Sequence, residues 1–210
     1  MRISQLITGF ARGLREVLLG KSLGLKEDNY PVDKQGRPDV ARYTDSLAYY
    51  RDMYHQHLDT IEGRKHGPGY ETELAFKRRV HAMWGLIAKG ADAIPYALTL
   101  LDRPEAEARE DAAAILEEVG KEGEVADGLL RSSNSETDAT VRDSLIIAVG
   151  RLKSRKAIPL LAKIISNDQE DGDTRWTAVE SLGVVVGRRF MDQSDPLQSA
   201  LDWLAKHPPE

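Results

Sequence analysis

Two stretches of this chain carry nearly the same phrase: Ala93-Ile94-Pro95-Tyr96-Ala97-Leu98 returns as Ala157-Ile158-Pro159-Leu160-Leu161-Ala162. A second landmark keeps the register, because Arg78, Arg109, Arg142 and Arg175 follow one another at intervals of 31, 33 and 33 residues. Sixteen positions after the first three of these arginines stand Ile94, Val125 and Ile158. A period of this length constrains the fold more than any local pattern does. Each unit is one supersecondary element that can bury its apolar face only against its neighbours.

Each unit reads as helix, acidic turn, helix. Asp102-Arg103-Pro104, Asn134-Ser135-Glu136 and Asn167-Asp168-Gln169 supply the turn and N-cap chemistry between paired helices. Pro95 and Pro159 fall at helix starts, where the missing N–H has no intrahelical partner to lose. Three and seven residues after the arginine come Ala112 and Leu116, Leu145 and Val149, and Ala178 and Leu182. Those positions are predicted to face the partner helix, and Gly150 and Gly183 behind them to admit a close backbone approach. An arginine that recurs with the period is predicted to tie turns together through carbonyls and acids rather than to act in chemistry.

These residues carry a resemblance. The Ala-Ile-Pro phrases, the Arg-x-x-Ala of 109–112 and 175–178, and the pairs Val149-Gly150 and Leu182-Gly183 resemble short HEAT-like repeats of the kind found in phycobilin lyases, over residues 78–190. The resemblance implies an all-α fold, an α-α superhelix or HEAT-like solenoid with an N-terminal helical extension. The departures are local. Val125-Ala126 replaces Ile-Pro, Glu117 occupies the glycine position of the second unit, and Gly85-Leu86 inverts the order in the first. Residues 1–70 lie outside the pattern, so the boundary is drawn there: an N-terminal extension and connector over 1–70, and a repeat domain with a C-terminal cap over 71–210.

Composition narrows the function classes. The chain has 210 residues and no cysteine, which excludes disulfides and thiolate chemistry and fits a reducing compartment. Its formal charge of −5 argues against a nucleic-acid partner, since phosphate neutralisation needs clustered Lys and Arg. No run of about 20 apolar residues is available to span a bilayer. The chain is read as cytoplasmic. His55, with Asp52 and Asp59 on one predicted face, lacks the paired histidines of a zinc helix, so neither a metal site nor a cofactor is assigned. Ser132-Ser133-Asn134-Ser135 has no glycine elbow around a serine, and no phosphate-cradling glycine loop occurs. No catalytic residue is named.

What remains is a surface. In HEAT-like solenoids the second helix of each pair lines the concave side. One residue after the arginines stand Arg79, Glu110, Asp143 and Trp176; five after come Met83, Ala114, Ile147 and Glu180; nine after come Ile87, Glu118, Arg151 and Val184. From this grid Arg79, Met83, Glu110, Asp143, Ile147, Arg151, Trp176 and Glu180 are assigned to a partner-binding face, with a protein as the partner. A solenoid enzyme or cofactor handler, resembling a DNA glycosylase or a bilin lyase, is the competing reading, with Trp176, Glu180 and Asp143 in its groove. At the other end, residues 3–18 form an amphipathic stripe with Arg2, Arg12 and Arg15 on its polar face. That stripe is read as a cap on the repeats, ahead of a role on a partner's groove or on an anionic membrane. Pro196 to Leu204 is read as a final capping helix.

Overall fold

A computed structural model describes residues 40–64, 71–121 and 123–208. The amphipathic stripe at 3–18 and the connector after it lie outside the described residues. All regular structure among the described residues is helical, and none of the helices is long and apolar enough to cross a membrane. Two compact units divide between Asp92 and Ala93.

The first unit contains α1 (Leu47–Arg64) and α2 (Glu71–Ala88), packed along each other. Ser46 sets the start of α1 by accepting a hydrogen bond from the Tyr49 N–H at 3.1 Å. Tyr50, Tyr54 and Leu58, on one face of α1, are fully buried. Gly85 explains how the tyrosine-bearing face of α1 comes so close to α2. A Cβ there would overlap the Tyr50 ring, so the ring lies directly on the α2 backbone.

The second unit is built from pairs: α3 (Ile94–Leu100) with α4 (Ala106–Val119), α5 (Glu124–Ser135) with α6 (Ala139–Arg151), and α7 (Ile158–Ser166) with α8 (Gly172–Val186). Within this unit α4 packs on α6 and α6 on α8, so the three arginine-bearing helices lie side by side. Pro95 and Pro159 sit in the first turns of α3 and α7. Asp138 caps α6 by accepting from the Val141 N–H, and Asp171 caps α8 by accepting from Asp173 and Thr174. The positions three and seven after each arginine are buried to the last atom in all three helices. The C-terminal helix α9 (Pro196–Lys206) covers α7 and α8, with Trp203 and Leu204 turned inward.

Gly150 marks a close crossing. A Cβ at that position would lie 2.7 Å from Ser181 Cβ, and Ser181 donates its hydroxyl to the Ile146 carbonyl at 3.2 Å across the same contact. Gly183, at the same register one unit on, meets instead the Arg188 carbonyl of its own following turn. Gly150→Ala is therefore expected to destabilise the second unit by about 1–3 kcal/mol through overpacking. Gly172→Ala, whose Cβ would meet nothing within 4 Å, should leave it nearly unchanged. Urea midpoints of the two variants, compared at equal slope, check the contrast.

Candidate functional site

On α4, α6 and α8 the same three positions reach solvent. Glu110 and Ala114 are half-buried and Glu118 exposed on α4; Asp143 and Ile147 are half-buried and Arg151 exposed on α6. On α8, Trp176 is 37% and Val184 38% exposed, with Glu180 half-buried between them. Between these positions the helices are largely closed: Asp111 to Ala113, Leu145 and Ile146, and Thr177 to Val179 are all buried, with Ser144 and Glu117 half-buried beside the ridges. The pattern follows from geometry. Residues i, i+4 and i+8 share one stripe of a 3.6-residue helix, and each helix spends its other faces on its pair partner and its lateral neighbours. Three outward ridges thus form one continuous surface, which brings together Glu110, Asp143, Ile147, Arg151, Trp176 and Glu180 of the assigned residues.

Arg79 and Met83 lie on α2 in the first unit, where Arg79 is half-buried. Met83 is a correction: it is only 5% exposed, buried with Val80, Trp84 and Leu86. The inverted Gly85-Leu86 pair accounts for it. The glycine that must face the packed helix stands one residue earlier than in the later units, which turns the buried face of α2 by about 100° relative to the repeat register. Trp176 has the opposite outcome. It stays exposed, while Trp203 is buried against Phe190, with ring centroids 6.4 Å apart, and stacks on His207 at 4.5 Å.

The recurring arginines are structural clips. Arg109 Nε and Nη2 donate to the Glu136 carboxylate at 2.7 and 3.0 Å, while Nη1 donates to the carbonyls of Arg103 and Pro104. One guanidinium thus joins its own turn to the next. Arg142 repeats the fork on Glu170 at 2.6 and 2.9 Å. Arg175 closes back on its own turn, donating to the Ile165 carbonyl and to Asp168. The forks hold the Glu136 and Glu170 carboxyls below the ordinary glutamate value, first through the arginine hydrogen bonds.

Two carboxylates on or beside the open surface are shifted the other way. Burial pushes Glu117 up against the attraction of Arg151, whose guanidinium stands 2.6 Å away. Glu117 is the residue in the glycine position, and Arg151 on the next helix answers its charge. Burial also raises Asp143, opposed by a hydrogen bond from Thr174 and reinforced by the like charges of Asp171 and Asp173. Its Oδ1 is buried without a hydrogen-bond partner. Nothing in spacing alone marks that oxygen, which is enclosed by the packing of α6 on α8.

Among the described residues no group of three or more His, Asp or Glu is placed to hold a metal ion. His55 and Asp52 are exposed on α1, and His57 is buried beside Tyr54. A cleft of about 460 Å³ at the C-terminal end, between Arg188, Phe190, Trp203 and His207, was not anticipated from the repeat. The signal available for it was the Arg188-Arg189 doublet facing Lys206-His207. No family model, curated protein or solved structure matches the chain.

The depressed glutamates make a signed prediction. Each clip contributes stability that is complete above the ordinary glutamate value of 4.5 and is withdrawn as pH falls below it toward the native values. Glu136→Gln and Glu170→Gln should each cost about 1.5–3 kcal/mol at neutral pH. The double variant should also lose part of the wild type's fall in urea midpoint on acidification below pH 4.5, which a pH series of denaturation curves measures.

Proposed function

We infer that the helix pairs α3–α4, α5–α6 and α7–α8 are successive units of a HEAT-like solenoid, closed at its C-terminal end by α9. The chain is then a non-enzymatic interaction module that holds a protein partner on the open face of α4, α6 and α8. The single observation behind this reading is the register of that face. The same three positions on three helices reach solvent while every residue between them except Ser144 and Glu117 is buried, and those positions diverge chemically from unit to unit. Positions that serve stacking repeat. Positions that vary within a fixed frame are free to be fitted to something outside the chain.

Two of the four large apolar side chains exposed among the described residues, Trp176 and Val184, lie on this face. A partly exposed tryptophan ringed by charged groups is a common energetic anchor of protein interfaces. The acids around it disfavour a DNA groove of the glycosylase kind.

The variant Trp176→Ala/Val184→Ser tests the face without altering its charge. Each side chain has about three-fifths of its surface covered, so the double change is expected to cost about 2–4 kcal/mol, and a urea curve establishes that the variant is folded before recovery is compared. In pull-downs from cell extract with tagged protein, stoichiometric partners recovered by the wild type should be lost with the variant. Equal recovery by both proteins would reject the face.

A further inference from the structure

The open face has a definite charge as well as an apolar anchor, and the two together select a partner chemistry. Its acids include Glu118, Asp143 and Glu180, one on each of the three helices. Its one arginine, Arg151, is already matched by Glu117 at 2.6 Å and so leaves the surrounding negative charge uncompensated. The accumulation is felt within the fold. Asp171 and Asp173, at the start of α8, act on the half-buried Asp143 as like charges, and Asp143 keeps a carboxylate oxygen without a donor. A cation brought to this face would meet the attraction of acids on three helices, while Arg151 is held by Glu117.

Trp176 and Val184 flank Glu180 on the α8 ridge, so apolar and acidic groups alternate at intervals of four residues. Successive residues on such a ridge rise about 6 Å apart, close to the roughly 6.8 Å between same-side side chains of an extended strand. Adjacent ridges stand about 8–10 Å apart, within reach of the long stems of lysine and arginine. An indole face also attracts a cation directly, by about 0.5–1 kcal/mol at an exposed site.

Resting on the reading of this surface as the binding face, we propose that its occupant is a basic polypeptide segment in which lysines or arginines flank an apolar side chain. The apolar side chain packs on Trp176. The flanking cations pair with Glu180 on the same ridge and with Asp143 on the next, and Glu118 adds to the long-range attraction. Long-range attraction brings the segment in, and the apolar contact sets how long it stays.

Fluorescence anisotropy with three labelled peptides of equal length tests this: one with a central leucine between lysines, one with a central serine between lysines, and one with a central leucine between glutamates. The first should bind, and its affinity should fall steeply with added salt. Glu118→Lys/Glu180→Lys should weaken it by about tenfold or more, and Trp176→Ala should reduce it toward the serine peptide. Equal binding of the lysine and glutamate peptides, or binding untouched by the double charge reversal, would overturn the proposal. Spermine binding as tightly as the leucine–lysine peptide would overturn it too, by showing a charge effect without a peptide. The two readings separate cleanly. If pull-down partners are lost with Trp176→Ala/Val184→Ser but retained by Glu118→Lys/Glu180→Lys, the face stands and its basic partner does not.

Discussion

Helix α6 has to be buried on three sides at once, by α4, α5 and α8, and much of the second unit follows from that constraint. A helix so enclosed can keep only one ridge for solvent. Leu145, Ile146, Ala148, Val149 and Gly150 are all consumed by packing, and beyond the first turn Asp143, Ile147 and Arg151, with Ser144 beside them, are what reaches solvent. The contact with α8 needs a residue with no side chain, which is why Gly150 stands against Ser181. The surface read here as functional is thus the remainder after packing.

The arginine forks give the stack its spacing at the turns. Arg109 and Arg142 each reach an acid 27 or 28 residues further on, so each clip fixes the offset between one helix pair and the next. In the third pair both repeat landmarks are satisfied at home: Arg175 by its own turn, Gly183 by the Arg188 carbonyl. Helix α9 covers α7 and α8. Where the pattern breaks inside the stack, the break is compensated across helices. Glu117 stands where glycine recurs, and Arg151 supplies the charge that lets a carboxylate remain there.

The electrostatics divide along the same line between architecture and surface. Glu136 and Glu170, spent on the clips, are held ionised. Asp143 and Glu117, at the open face, are pushed toward protonation by burial. Carboxylates of the first kind strengthen the fold as pH rises through their range. Those of the second kind are more costly to keep charged, and a cation delivered from outside offsets that cost. The face therefore combines a conformationally fixed frame with charge that the frame itself does not neutralise.

Much of this was legible in the residues. Helix order, the inward positions three and seven after each arginine, the proline starts and the structural role of the arginines all rest on periodicity and capping, which act within a turn or two of chain. The outward grid on α4, α6 and α8 was legible for the same reason. Tertiary structure alone decided the rest. It chose Glu136 and Glu170 as the acids of the clips, joined Arg151 to Glu117, turned Met83 inward by rotating α2 about Gly85, left Trp176 exposed while burying Trp203, and enclosed one oxygen of Asp143. Each of these depends on which side chains meet when helices distant in sequence are brought to contact distance. A one-residue change of register moves a side chain by about 100° around its helix. Local pattern specifies the helix and its faces; only packing determines what each face meets.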